Sequence, residues 1–309
     1  MKLVFCGTPQ FAVPTLETLI ADGHDITVVV TQPDRPQGRG LGLAASPIKH
    51  TAQHHRLSIE QPEKIKNNAG FRALLESINP EAIIVVGYGR IIPSWMLSLP
   101  KHGNINLHGS LLPKYRGAAP IQWAIAAGER VSGVTTILLN EGLDTGDIFL
   151  QRELPITAQD TAITYGRRLS AVGAELMVET LRGLKSGSIT PRPQDHSRAS
   201  FAPILKREDG QANFNLSARE IHNRLRGFQP WPGCYTSFRG KKLAIISAMP
   251  AAPRGTAAGG DLTIDRDRLF VTCGENSALE LLEVQPEGKR SMTAADFIRG
   301  YRPAEKLGE

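Results

Sequence analysis

Apolar segments alternate with segments of helical period from the start of the chain. The runs LVFC and ITVVV flank a segment whose apolar residues Phe11, Leu16 and Leu19 recur at helical spacing. A buried strand, a helix and a second buried strand predict a βαβ unit with a right-handed crossover in a parallel sheet. A third apolar run, EAIIVVGYGRIIP, predicts a further strand. We therefore expect an α/β fold built on a Rossmann-like parallel sheet.

The turn after the first strand argues against a dinucleotide-binding protein. Cys6-Gly7-Thr8-Pro9 lacks the G-x-G-x-x-G pattern, in which the second glycine allows close approach of a pyrophosphate. A nicotinamide-dependent dehydrogenase is thus disfavoured.

Length and composition are typical of a globular protein with two domains. The chain has 309 residues, of which 41% are hydrophobic and 21% are charged. Because no apolar run reaches the roughly 20 residues of a membrane-spanning helix, and MKLVFCGTP lacks the features of a signal peptide, we expect a cytoplasmic protein without a membrane. The cysteines Cys6, Cys234 and Cys273 are scattered, so we interpret them as packing residues and expect no metal site.

The segment GNINLHGSLLPKYRGAAP carries the residues that suit catalysis best. Asn106 and His108 are two residues apart, so their side chains leave the same face of a strand. Asp144 lies in a Gly-Leu-Asp-Thr-Gly-Asp turn that can return a carboxylate to a neighbouring strand. An amide, an imidazole and a carboxylate suit acyl-type transfer, in which a carbonyl oxygen becomes negative and a proton must move. A histidine near a strand end is also compatible with a purely structural role.

A loop rich in glycine and proline follows the second strand. Gln32 to Pro47 has no hydrophobic period and carries Arg35 and Arg39. Two interpretations stay open: an exposed surface loop, or a loop whose arginines bind the bases or phosphates of a nucleic acid.

The C-terminal third differs in character from the first two. A long amphipathic helix is predicted after Thr157, capped by Thr157 or Asp160 and ending before Gly187. A proline-rich stretch from Ser188 to Glu208 predicts an extended linker. Short alternating strands then predict a small OB-like β-barrel. The net charge is +6, and a basic cluster that includes Lys241 and Lys242 fits either a phosphate-binding surface or a solvated face.

The motif N-x-H-x-S-L-L-P-x-Y-R-G-A-x-P, followed by G-V-T and G-L-D-T-G-D, resembles the formyltetrahydrofolate-dependent formyltransferases. The elements F-x-P-W-P-G at 228–233 and Q-P-E-G-K at 285–289 resemble the branch of that family that formylates methionyl-tRNA. The resemblance implies a formyltransferase domain at 1–187, a linker at 188–208 and an OB-like tRNA-binding domain at 209–309. It also implies 10-formyltetrahydrofolate as formyl donor and initiator methionyl-tRNA as acceptor, with no metal.

The resemblance also implies roles for individual residues. The catalytic residues would be Asn106, His108 and Asp144. The folate would contact Val86, Gly87, Tyr88, Gly89, Arg90, Ser110, Leu111, Leu112, Pro113, Leu139 and Asn140. The tRNA would contact Arg35, Arg39, Lys241 and Lys242. Two alternatives stay open: a relative with another amine acceptor or with formate-releasing hydrolase activity, and a tRNA-binding protein without catalysis.

Overall fold

Strands and helices alternate through the first part of the chain, as the apolar runs predicted. The computed structural model describes residues 1–37, 42–253, 258–304 and 306–308. In chain order, the elements up to residue 186 are β1 (Lys2–Gly7), α1 (Val13–Ala21), β2 (Asp25–Val30), β3 (Arg35–Gln37), β4 (Gly42–Ala44), α2 (Pro47–His54), β5 (Ile59–Glu60), α3 (Ala69–Ile78), β6 (Ala82–Val86), α4 (Ser94–Leu97), β7 (Asn104–His108), α5 (Pro120–Ala126), β8 (Val131–Leu138), β9 (Ile148–Pro155) and α6 (Ala162–Ser186).

The chain divides into two units that are discontinuous in sequence. The N-terminal unit comprises Met1–Pro120, Val131–Pro155 and Tyr165–Pro203. The C-terminal unit comprises Ile121–Arg130, Ile156–Thr164 and Ile204–Glu309.

The N-terminal unit contains a seven-stranded sheet in the order β5-β2-β1-β6-β7-β8-β9. The neighbouring strands β5, β2, β1, β6 and β7 run parallel, as predicted. However, β8 and β9 are antiparallel to their neighbours, so the sheet is mixed rather than wholly parallel. The turn at 139–147 is too short for the crossover that a parallel β8–β9 pair would need.

Two helices of this unit begin at side chains that accept hydrogen bonds. Ser46 caps α2 and Asn68 caps α3. The long helix α6 begins later than predicted, because the Thr161 hydroxyl accepts from the amide of Thr164, whereas Asp160 accepts from the amide of Thr157. Neither α6 nor any other helix in the described ranges is long and apolar enough to span a membrane.

The C-terminal unit is built around an antiparallel sheet. Its remaining elements are α7 (Ala218–Gly227), β10 (Cys234–Phe238), β11 (Lys241–Ala251), β12 (Leu262–Asp265), β13 (Arg268–Cys273), β14 (Ser277–Pro286), β15 (Met292–Thr293) and α8 (Ala294–Tyr301). The strand order is β10-β11-β14-β13-β12, with β15 paired to β14. Ile221 and Leu225 of α7 and Phe297 of α8 enter its core. Among the described residues, no pairing joins β10 to β12, and the OB-like barrel stays a prediction.

Candidate active site

The polar residues of β7 share one face of the strand. Asn104, Asn106 and His108 alternate with Ile105 and Leu107, and all five are buried. The opposite face is occupied by α6, which approaches so closely that a Cβ on Gly173 would lie 2.6 Å from Leu107 Cδ2. The apolar side chains of β7 therefore face the helix, which leaves the other face for the amides and the imidazole.

The two asparagines of β7 differ in what their carboxamides contact. Asn104 Nδ2 donates to the carbonyl of Met96 at 2.8 Å and to that of Leu97 at 3.1 Å, so it is structural. The carboxamide of Asn106, a residue only 9% exposed, makes no hydrogen bond within the described chain. Its donors are therefore available for a ligand, whereas Asn104 Oδ1 is the buried unpaired atom of this strand.

His108 lies between a carbonyl and a carboxylate. Its Nε2 is 2.9 Å from the carbonyl oxygen of Tyr115, and its Nδ1 is 3.6 Å from Asp144 Oδ2. Since a carbonyl oxygen only accepts, Nε2 carries a proton. Nδ1 faces the carboxylate of Asp144, so the imidazole lies between two acceptors.

Asp144 is held by its own turn and by a neighbouring loop. The amide of Gly117 donates to Asp144 Oδ2 at 2.8 Å, and the Asp144 backbone is left-handed with φ 50°. Gly146 allows this turn to close, because a Cβ there would lie 1.8 Å from the carbonyl oxygen of Leu138. The structure thus joins Asp144 to the strand that carries His108, as the sequence predicted for the turn.

Gln194 and Arg116 were not among the predicted site residues. Gln194 Nε2 donates to the carbonyls of Asp144 at 2.8 Å and Gly146 at 2.6 Å, while its Oε1 accepts from the buried guanidinium of Arg116 at 2.6 Å. Gln194 lies in the proline-rich stretch, which has no periodic signal. Its partner Arg116 lies inside the motif that resembles the formyltransferases. Only this position in the motif could have pointed to Arg116 from the sequence.

The Ser110–Pro113 loop forms a wall supported by side chains of β8 and β9. Thr135 Oγ1 donates to the carbonyl of Ser110 and accepts from the amide of Leu112, and Gln151 Nε2 donates to the carbonyl of Leu112. The Leu112 side chain is buried with Ile137 and Ile148, against which Leu139 packs. Leu111 is half-buried. Hydrogen bonds from β8 and β9 therefore fix the shape of this loop.

The predicted folate loop at 86–90 combines two left-handed glycines with a buried tyrosine. Gly87 and Gly89 have φ of 57° and 77°. The ring of Tyr88 packs in the core, where burial raises the pKa of its hydroxyl and keeps it neutral. Its carbonyl accepts from Thr8 Oγ1 and Gln32 Nε2, and Arg90 Nε donates to Gln32 Oε1. Tyr88 therefore shapes the loop from inside.

Asn140 stabilises the start of the Asp144 turn. Its Oδ1 accepts from the amide of Gly142 at 3.0 Å and from Thr145 Oγ1 at 2.9 Å. The carboxamide is thus partly committed to the turn.

Three of the four predicted tRNA-binding residues lie in the described chain, and all three are exposed cations. Arg35 is exposed on β3, while Arg39 lies outside the described residues. Lys241 and Lys242 are exposed at the start of β11, and Lys242 Nζ lies 4.4 Å from the centroid of the Tyr235 ring. Arg35 and these lysines belong to different units. In the ranges that the structure describes, no three histidine, cysteine or acidic side chains are grouped to hold a metal ion.

Comparison with known proteins identifies two matching families in the chain. Residues 1–181 match the family described as formyl transferase, and residues 204–302 match its C-terminal domain. The chain is 60% identical to methionyl-tRNA formyltransferase from Koribacter versatilis (strain Ellin345), covering 100% of this chain and 99% of the relative. It is 57% identical to the protein of that name from Acidobacterium capsulatum, with both chains covered completely.

A solved structure gives the same fold at low identity. The crystal structure of WlaRD, a sugar 3N-formyl transferase, in the presence of dTDP and 5-N-formyl-THF is 20% identical. It covers 94% of this chain and 99% of its own, with a TM-score of 0.67.

Proposed function

Since the chain belongs to the formyl transferase family, we propose that it transfers the formyl group of 10-formyltetrahydrofolate to the α-amine of initiator methionyl-tRNA. The product is N-formylmethionyl-tRNA for translation initiation, a role that also underlies our expectation of a cytoplasmic location. The observation that carries the proposal is the buried Asn106 carboxamide without a protein partner, on the same strand face as the His108 imidazole beside Asp144.

The reaction exchanges one carbon–nitrogen bond for another. A bond forms between the neutral methionyl nitrogen and the formyl carbon, and the bond between that carbon and N10 of the folate breaks. One proton leaves the attacking amine, and one proton ends on N10. No covalent link to the protein is needed.

Asn106 stabilises the negative charge that develops on the formyl oxygen. Its Nδ2 is a neutral donor carried by a buried strand, and it has no protein partner to give up when it binds the formyl oxygen. Asn104, two residues earlier, cannot share this role because its donors are bound to main-chain carbonyls.

His108 and Asp144 handle the proton. With Nε2–H bound to the Tyr115 carbonyl, Nδ1 is the position that accepts a proton from the attacking amine and returns it to the leaving nitrogen. The carboxylate of Asp144, at 3.6 Å, stabilises the transient imidazolium and orients the ring.

The folate, when bound, supplies the formyl group, and eleven residues are proposed to hold it. Hydrogen bonds within the protein hold the 110–113 wall and the Tyr88 carbonyl of the 86–90 loop in place, so both loops are preorganised before a ligand binds. The eleven residues are Val86, Gly87, Tyr88, Gly89, Arg90, Ser110, Leu111, Leu112, Pro113, Leu139 and Asn140.

For the tRNA we propose contacts from four basic residues. Arg35 and Arg39 would bind the acceptor end, and Lys241 and Lys242 would bind phosphates. Arg35, Lys241 and Lys242 are exposed, and exposed cations bind phosphate at little desolvation cost. We also propose the division into a domain at 1–187, a linker at 188–208 and an OB-like tRNA-binding domain at 209–309.

One assay separates this function from its alternatives. The protein is incubated with 10-formyltetrahydrofolate and methionyl-tRNA of either the initiator or the elongator type, and both formylated tRNA and free formate are measured. Formylation of initiator alone supports the proposal. Formylation of another amine, formate release without tRNA, or tRNA binding without turnover would each replace it with one of the alternatives.

A further inference from the structure

We propose that the segment at 194–202, called the strap, positions the catalytic pair through Gln194 and Ser200. The inference rests on the proposed function, because it concerns how His108 and Asp144 are held for formyl transfer. Neither residue is a proposed contact of formyl donor or acceptor, so both are positioning residues.

The two groups that face the His108 ring share an unusual backbone conformation. Tyr115, whose carbonyl accepts from Nε2, has φ 59°, and Asp144, whose carboxylate faces Nδ1, has φ 50°. At Tyr115 a left-handed backbone costs on the order of 1 kcal/mol or more and persists only where surrounding contacts determine it, whereas aspartate tolerates it better. Contacts from elsewhere in the chain are therefore expected at Tyr115 above all.

The strap supplies one support to each. Ser200 Oγ accepts from the amide of Tyr115 at 2.9 Å. Gln194 Nε2 donates to the carbonyl of Asp144 at 2.8 Å and to that of Gly146 at 2.6 Å. Both partners of the imidazole are thus hydrogen-bonded at their main chain by the same segment, far away in sequence.

Gln194 is suited to this position as an amide and not as a carboxylate. It is 6% exposed, its two amide protons go to carbonyls, and its oxygen accepts from Arg116 Nε and Nη2. All of its hydrogen-bonding capacity is in use. A glutamate here would keep the contact with Arg116 but would turn a charged acceptor towards two carbonyl oxygens.

Main-chain pairing fixes the strap against the motif loop. Arg116 N donates to the Ser200 carbonyl at 2.8 Å, and Ala202 N donates to the Arg116 carbonyl at 2.7 Å. Gly117, whose amide binds Asp144 Oδ2, packs so closely that a Cβ on it would lie 2.5 Å from the Ala202 carbonyl oxygen. A shift of the strap would therefore move Tyr115, Gly117 and Asp144 together.

The test compares Ser200→Ala and Gln194→Glu with Ser200→Thr, which keeps the hydroxyl, and with Ser197→Ala. Ser197 is an exposed strap residue whose side chain bonds only to Asp195 within the described chain, which makes it a matched control. We expect Ser200→Ala and Gln194→Glu to lower kcat by roughly 10- to 100-fold, because small displacements of catalytic groups have effects of this size. KM for both substrates should change less than about twofold, since neither variant removes a proposed contact with a bound substrate. Ser200→Thr should recover most of the loss, and Ser197→Ala should match the wild type.

A second readout needs no substrate. In ¹⁵N spectra of the imidazoles, with the His108 signals assigned by their loss in His108→Gln, the wild type should show Nε2 protonated. Ser200→Ala should redistribute the proton between the two nitrogens, and Ser200→Thr should not.

Wild-type kcat and wild-type ¹⁵N shifts in Ser200→Ala and Gln194→Glu would contradict the proposed role of the strap. A loss of kcat that parallels a lower melting temperature and is not recovered in Ser200→Thr would contradict it as well. If the wild type itself formylates no methionyl-tRNA, the proposed function fails. In that case the ¹⁵N comparison alone decides whether the strap holds His108.

Discussion

The candidate catalytic residues are buried, whereas the candidate tRNA-binding residues of the described chain are exposed. Asn106 and His108 are 9% and 5% exposed and lie on a strand inside the N-terminal unit. Three candidate tRNA-binding residues are exposed, namely Arg35, Lys241 and Lys242. The Lys242 ammonium lies over the face of the Tyr235 ring.

This difference determines how much a single side chain can contribute. A buried donor acts in a site of low dielectric, where it is worth far more than in water, and no neighbour can replace it. An exposed cation acts through a screened field that several cations share. We therefore expect large, residue-specific losses of turnover at the buried site and small, salt-dependent losses of affinity at the exposed residues.

The largest effect is expected at Asn106. Asn106→Ala removes the donor to the developing oxyanion and should lower kcat about 100-fold or more, as measured for loss of one oxyanion donor. Initial rates at saturating methionyl-tRNA and folate give this value.

Asn104→Ala is the matched control for that variant. It removes an amide from the same strand face, and the unpaired carbonyls of Met96 and Leu97 should cost about 1–3 kcal/mol of stability. Its kcat per folded molecule should stay near the wild-type value. Equal losses of kcat in both variants would contradict the distinction between the two asparagines.

A smaller effect is expected at Asp144. Asp144→Asn keeps an acceptor for the Gly117 amide and a residue type that tolerates left-handed backbone, but removes the charge beside His108 Nδ1. We expect kcat to fall roughly 10- to 100-fold, which is less than the loss of the general acid–base itself would cause, because the imidazole stays in place. Initial rates at saturating methionyl-tRNA and folate give this value. An unchanged kcat would show that the carboxylate serves only the turn.

The exposed cations should give the smallest effects on activity. The double variant Lys241→Ala and Lys242→Ala should raise KM for tRNA about 3- to 10-fold with kcat unchanged, and should lower the dependence of log KM on log salt by about 1 per lost phosphate contact. Lys101→Ala, another exposed lysine, is the control. A fall in kcat at constant KM would place these lysines in the chemistry instead.

Much of the N-terminal unit follows from local sequence pattern. Apolar runs predicted β1, β2 and β6, and two-residue spacing correctly put Asn106 and His108 on one strand face. The antiparallel direction of β8 did not follow, because β8 is buried along most of its length and shows no alternation of buried and exposed residues.

Sequence pattern also could not reveal how the site is held. Gln194 and Ser200 lie in a stretch that was interpreted as a linker, because its prolines interrupt any helical or strand period. Their hydrogen bonds go to main-chain groups of Asp144 and Tyr115, which every residue type possesses, so no partner side chain signals the contact.

The smallest loss of stability at neutral pH is expected from a change in the C-terminal unit, at the start of α7. Glu220 accepts from the hydroxyl and the amide of Ser217, and these hydrogen bonds hold the pKa of its carboxyl below the ordinary value. The unfolded chain therefore binds this proton at higher pH than the folded chain does. The stabilisation is complete above the unfolded-state pKa and is lost as pH falls through the folded-state pKa. Glu220→Gln should change stability at neutral pH by only a few tenths of a kcal/mol, because an amide can still complete the capping box.

The variant should nevertheless lose less stability on acidification than the wild type, as urea unfolding at about pH 7 and about pH 3 would measure. Ser217→Ala, which removes the cap itself, should cost about 1 kcal/mol at neutral pH. Neither change should alter kcat per folded molecule, because this helix terminus contains none of the proposed catalytic residues. If Glu220→Gln lowered kcat as strongly as Asp144→Asn, the assignment of chemistry to the buried residues of the N-terminal unit would be wrong.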